Sequence, residues 1–190
     1  NARSREDANR YASNLLSLAI VFLGVIALLA SIFSPQVMVT QSLFSSASSE
    51  TVENAVWFFR FFSFQIVFYG MSAIFGGLLN AEREYFWPAI SSVFMNLIII
   101  VTFFAYPFVS GVSGQAGMFV LAVGTTLSIA VMACVQIPAL VRAGFRFRFL
   151  IDLHGEGLRE TVKLALPAIL CTAINLVSLS FMNSCALHVA

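Results

Sequence analysis

The stretch PAISSVFMNLIIIVTFFAYPFV, residues 88–109, decides the fold. It contains no Asp, Glu, Lys or Arg. At about 1.5 Å per residue, a helix of that length covers about 33 Å, enough to cross a hydrocarbon core about 30 Å thick. A lone strand would leave backbone N–H and C=O groups unsatisfied in lipid, so the segment reads as a transmembrane helix. It lacks the apolar–polar alternation of a barrel strand. Pro88 stands at its start, where a missing N–H is harmless.

Four more runs of similar character flank it, at 14–39, 55–79, 116–141 and 164–187. Composition agrees: 59% of the 190 residues are hydrophobic and 10% are charged. A soluble domain carries about 25% charge. There is too little polar surface here to cover a soluble domain, which excludes a soluble enzyme as the starting interpretation. A net charge of +1 gives no reason to expect nucleic acid. The expected fold is all-α, a polytopic membrane helical bundle with five transmembrane helices. The chain opens at Asn1 and its last apolar run stops at the chain end, so it is expected to be part of a longer protein.

Arginine and lysine set the expected orientation. Arg3, Arg5 and Arg10 precede the first span, Arg83 lies between the second and third, and Arg142, Arg146, Arg148, Arg159 and Lys163 lie between the fourth and fifth. The other two connections carry none. Basic residues on alternate loops are the pattern of consecutive crossings with a cytoplasmic N-terminus. In Phe145-Arg146-Phe147-Arg148-Phe149 the aromatic and basic residues alternate. Beside a membrane this reads as Phe in the interface with Arg reaching headgroups, rather than as RNA contact.

Small residues recur at helical spacing. Ser63, Gly70 and Gly77, with Ala73, form one face in the second span, and Gly117, Gly124 and Ser128 form another in the fourth. Such faces let membrane helices approach closely. Asn80 and Asn96 are expected to cap or bridge helices, and Gln136-Ile137-Pro138 to kink the fourth span and free a carbonyl. Polar residues inside spans are the sharper signal. Arg60 either snorkels to the outer headgroups or faces a water-filled cavity and binds a phosphate or carboxylate. Thr172, Asn175, Ser178 and Asn183 fall on one side of the last span, beyond Pro167, as a cavity lining or a hydrogen-bonded helix contact.

Several chemistries are missing. There is no P-loop and no HExxH motif, and no acid lies in any span. His154 and His188 are far apart, so no metal site or other cofactor is expected, and no enzyme. Cys134, Cys171 and Cys185 lie in apolar runs and read as reduced, packed residues.

Two blocks carry a resemblance. The first is Gln65-Ile66-Val67-Phe68-Tyr69-Gly70, Gly77-Leu78-Leu79-Asn80-Ala81, a charged turn, Pro88-Ala89 and Asn96. The second is Gln136-Ile137-Pro138-Ala139-Leu140, Ala143-Gly144-Phe145-Arg146-Phe147-Arg148 and Leu166-Pro167-Ala168-Ile169. In order and spacing they resemble the MurJ or MviN lipid II flippases, across helices three to seven of about fourteen. The resemblance departs at Phe64, where many members have Pro, and at Ala173, where the seventh helix commonly has Gln before Ile-Asn. It implies residues 1–141 in an N-terminal lobe, 142–163 as a basic cytoplasmic connector, and 164–190 as the first helix of a C-terminal lobe. It also implies lipid II as cargo, moved by alternating access through a central cavity that Thr172, Asn175, Ser178 and Asn183 would line. The implied location is the bacterial cytoplasmic (inner) membrane, with membrane lipids and cell-wall synthesis proteins as partners. The family's essential arginines lie mainly in helices outside this chain. Other lipid-linked oligosaccharide flippases, drug exporters of the same superfamily and a non-transporting scaffold remain alternatives.

Overall fold

The computed structural model describes residues 2–42, 49–111 and 113–152, and the single positions 163, 167, 171, 174, 175 and 178. Every regular element among them is an α-helix: α1 (Ala2–Ile32), α2 (Ser34–Ser42), α3 (Ser49–Ala81), α4 (Phe86–Ser110), α5 (Gly114–Cys134) and α6 (Ile137–Arg142). Four stretches among the described residues are long and apolar enough to cross a membrane: Glu6–Ile32, Glu50–Ala81, Phe86–Ser110 and Gly114–Arg142. They match the first four predicted spans. The polar segments before the first two are helical as well, because no Gly or Pro interrupts them. The fifth predicted span, 164–187, is represented by Pro167, Cys171, Ile174, Asn175 and Ser178, all helical and exposed.

Residues Asn1–Leu150 form one compact unit and Ile151–Ala190 a second. In the first unit α3 packs against α1 and against α5, and α4 packs along α5. Phe22, Val25, Leu29 and Ile32 of α1 are exposed at helical spacing, as are Leu97, Val101, Phe104 and Phe108 of α4. These are the stripes a lipid-facing helix needs. The buried apolar cluster joins the middle of α1 to the ends of α3 and α5 and to α6: Leu16, Phe75, Leu79, Ala133, Ala139 and Leu140.

Close approach depends on glycine at particular points. A Cβ on Gly70 would collide with the Leu23 side chain of α1, and one on Gly124 with Thr102 of α4. One on Gly117 would lie 2.8 Å from Ser110 Cβ and 3.0 Å from the Tyr106 ring. Gly77 departs from its expected packing role, since no described side chain lies within 4 Å of a Cβ placed there. Its neighbour Gly76 makes the approach instead, with Gln136 Oε1 at 3.5 Å and Pro88 Cβ at 3.7 Å. A helix rotates about 100° per residue, so adjacent glycines serve different faces.

Two side-chain hydrogen bonds tie α3 to the fourth span. Gln65 Nε2 donates to Thr126 Oγ1 at 2.9 Å. Gln136 Nε2 donates to Ser72 Oγ at 2.7 Å and to the Met132 carbonyl at 3.2 Å. The predicted kink is a full break: α5 stops at Cys134 and α6 starts at Ile137. Pro138 has no N–H to give the Cys134 carbonyl, and Gln136 turns inward at the gap, 1% exposed. Pro35 produces a similar interruption between α1 and α2.

Helix ends follow from local chemistry. At the α3 terminus Arg83 adopts φ 64°. Its N–H donates to the Asn80 carbonyl at 3.1 Å, and Glu84 N–H to the Leu79 carbonyl at 2.8 Å. This is a Schellman cap, so Asn80 serves through its backbone while its side chain is exposed. Asn96 is also exposed. Pro88 is the third residue of α4, still within the turn that needs no N–H partner. At the end of α6, Gly144 at φ +92° completes a second Schellman cap, with Gly144 N–H to Val141 O at 3.1 Å and Phe145 N–H to Leu140 O at 3.0 Å.

Beyond that cap the chain turns back along α1. Asn9 Nδ2 donates to the Gly144 carbonyl at 3.1 Å, and Ser13 Oγ donates to the Arg146 carbonyl at 3.4 Å. Arg148 N–H donates to Ser13 Oγ and Leu150 N–H to Ser17 Oγ, each at 3.2 Å. Ser13 thus sits level with Phe147, between the Arg146 carbonyl and the Arg148 N–H, with Asn9 and Ser17 about two strap residues to either side. Two residues of extended chain advance about 6.6 Å and four of helix about 6.0 Å, so the rungs nearly coincide.

Two measurements check these constraints. Gly144→Ala should lower the thermal unfolding midpoint in detergent, by about 1–2 kcal/mol of stability, because an L side chain at positive φ is strained. An unchanged midpoint would remove the strap's entry turn from the account. Gly124→Val should cost about 1–3 kcal/mol through its clash with Thr102, whereas Gly77→Ala should be neutral or slightly stabilising. Equal losses at the two glycines would contradict the packing described.

Candidate functional site

Arg60 lies about three turns from the start of α3, deeper along its helix than the apolar run alone suggested, because α3 begins at Ser49. Its Nε donates to Ser34 Oγ at 3.1 Å. Ser34 is fully buried at the α1–α2 break, where Pro35 interrupts the helix. The Arg60 residue itself is exposed, and its terminal guanidinium nitrogens make no hydrogen bond among the described residues. Ser63 Oγ donates to the Arg60 carbonyl at 2.8 Å, which anchors the backbone below it. The guanidinium is therefore steered by one bond and keeps two faces for an anion.

A polar recess opens near the start of α3. It has a volume of about 820 Å³ and is lined by Glu53, Asn54 and Trp57 from α3 and by Gln115, Met118 and Phe119 from α5. Trp57 stacks on Phe61 with centroids 4.6 Å apart, and Phe61 meets Phe119 edge-on at 6.2 Å. These rings form an aromatic band at that end of the helices, as expected where helices leave the hydrocarbon.

Another recess lies at the opposite end, between the start of α1 and the strap. Its volume is about 620 Å³, and Glu6, Arg10, Arg146 and Arg148 line it. Sequence reasoning placed these arginines in separate loops and missed their convergence. Asn9, Ser13 and Ser17, polar residues at four-residue spacing, mark a face of α1 that needs a polar partner, but nothing in their spacing says which.

Of the four residues predicted to line a cavity from the last span, Asn175 and Ser178 are helical and exposed, at spacing that puts them on one face. Thr172 and Asn183 lie outside the described residues. Arg60 belongs to the first compact unit, and Asn175 and Ser178 to the second. Pro167 is helical and exposed. Cys134 and Cys171 are free thiols and exposed, so they face outward instead of packing as expected; Cys185 is outside the described residues. His154 and His188 also fall outside them. Among the described residues no group of three His, Cys, Asp or Glu could hold a metal ion.

Comparison with known proteins bears on this arrangement. The family model described as lipid II flippase MurJ matches residues 1–189. A probable lipid II flippase MurJ from Rhizobium meliloti (strain 1021) is 30% identical over 109 residues, covering 57% of this chain and 20% of that relative. The chain thus spans about a fifth of the length of the curated relative it matches. No solved structure matches. Residues of the two blocks quoted for the resemblance also build the bundle: Gln65 and Gln136 make the bonds between α3 and the fourth span, Gly70 takes α1, and Gly144 starts the strap. With a match from the first residue to the last but one and membrane-spanning helices in the expected order, this chain belongs to the MurJ lipid II flippase family.

Proposed function

We propose that the protein containing this chain carries lipid II, the undecaprenyl-pyrophosphate-linked peptidoglycan precursor, from the inner to the outer leaflet of the bacterial cytoplasmic membrane. The observation that carries this reading is the family match over residues 1–189. In it, the N-terminus of this chain is cytoplasmic, a reading supported by the gathering of Arg10, Arg83, Arg142, Arg146 and Arg148 at one end of the helices. Residues 1–141 contribute to one lobe, 142–163 to the connector and 164–190 to the next lobe. Transport is by alternating access, one lobe rocking against the other around a polar cavity. Cell-wall synthesis proteins are the natural partners of such a carrier.

Within this chain, Arg60 and the Thr172, Asn175, Ser178 and Asn183 face are the proposed cargo-path residues. Arg60 suits a diphosphate: its Nε is held by Ser34, and a planar guanidinium offers paired donors to phosphate oxygens. An amide and hydroxyl face on the last span suits sugar and peptide hydroxyls and carbonyls.

Complementation tests the reading. The resident lipid II flippase of a bacterium is depleted and the complete gene carrying this chain is supplied. The parent should restore growth and cell shape. Arg60→Ala and Asn175→Ala, present at parental levels in the membrane, should each reduce rescue, Arg60→Ala by about tenfold or more, the loss expected for one charged hydrogen-bonding group. A well-expressed parent that restores nothing would overturn lipid II as cargo. Full rescue by both variants would leave the cargo intact and remove these residues from its path.

A further inference from the structure

The recess between α1 and the strap carries a site of its own. Residues 145–150 run along α1 with alternate residues facing it, so odd and even side chains part company. Phe145 packs against the buried cluster, while Phe147 and Phe149 are 47% and 63% exposed. The even positions Arg146 and Arg148 line the recess, where Arg10 meets them from more than 130 residues away. Three guanidiniums and one carboxylate, Glu6, leave the recess with an excess of two positive charges. The backbones that carry them are fixed on both sides, by α1 and by the four hydrogen bonds of the strap.

Arginines converging on one recess repel each other, and an arrangement that holds them there suits an anion with several acceptor oxygens. Two features specify its source. Arg10 stands just ahead of the apolar part of α1, at the level where a helix enters the headgroup layer. Phe147 and Phe149 expose apolar rings from the same strap that supplies Arg146 and Arg148. Apolar rings beside cationic groups at a helix end are the chemistry of the membrane interface. The volume, about 620 Å³, is of a size for a headgroup and its glycerol.

We infer that Arg10, Arg146 and Arg148 form a binding site for the phosphodiester headgroup of an anionic membrane phospholipid, with Phe147 and Phe149 seated in the interface beside it. The guanidiniums take the phosphate oxygens, and Glu6 and Asn9 accept and donate to the hydroxyls of a glycerol headgroup. The site does not depend on the transport reading or on which leaflet the recess faces.

The test uses the complete gene product carrying this chain, purified in a neutral maltoside detergent. Binding is titrated with dioctanoyl phosphatidylglycerol, dioctanoyl phosphatidylcholine and glycerol 3-phosphate. Phosphatidylglycerol should bind at least about tenfold more tightly than either of the others. The triple variant Arg10→Gln, Arg146→Gln, Arg148→Gln should lose that preference, while Arg83→Gln with Arg142→Gln, outside the recess, should keep it. Should the triple variant lose its thermal unfolding transition, Arg10→Gln alone gives the reading, with an expected loss of about threefold or more. Equal binding of the two lipids overturns the site. So does glycerol 3-phosphate binding as tightly as the lipid, a parental triple variant or Arg10→Gln variant, or equal losses in the control.

Discussion

Lipid is as apolar as leucine, so two helices in a bilayer gain little by bringing apolar side chains together. What lipid cannot supply is a hydrogen-bond partner or a surface without protruding side chains. The bundle depends on that limit, and α3 is where it is met. Gln65 and Ser72 bond Thr126 and Gln136 on one side, and Gly70 admits Leu23 on another. Along α5, Gly124 admits Thr102 of α4. Remove these contacts and each helix would be nearly as well solvated by lipid alone.

The same limit explains the placement of Gln136. A proline in a membrane helix frees a carbonyl with no water to receive it. Here the break is set at the end of the span, and the residue before Ile137-Pro138 is an amide that reaches across to Ser72 and back to the Met132 carbonyl. Its Oε1 has no partner among the described residues and lies 3.5 Å from where a Gly76 Cβ would stand. The pocket that glycine leaves is therefore occupied by a polar atom, and a larger residue at 76 would press on the bond to Ser72.

Much of this was legible in the sequence. Spans and their order followed from length and the absence of charge, and the break at Pro138 from proline chemistry. Small-residue faces were legible in kind but not always in residue: Gly70, Gly117 and Gly124 make close approaches, while Gly76 replaces Gly77. Adjacent glycines satisfy almost the same spacing, and only the rotation of the helix separates them. The convergence of Arg10 with Arg146 and Arg148 was not legible, because no local pattern joins positions so far apart in the chain. Ser34 escaped notice for a related reason. A serine before a proline reads as a turn, and its partnership with Arg60 arises only once α1 and α3 lie side by side.

The strap on α1 pairs two rulers of unequal pitch. Each step of two extended residues outruns four helical residues by about 0.6 Å. Over the Asn9, Ser13 and Ser17 rungs the mismatch reaches about 1.2 Å, close to the tolerance of a hydrogen bond. Each further rung would add to the mismatch. The helix thus acts as a vernier suited to a short length of chain, and Leu150, on the last rung, is also the last residue of its compact unit. The ladder also ends on α1 itself, because the next position at that spacing is Val21, whose side chain can neither donate nor accept.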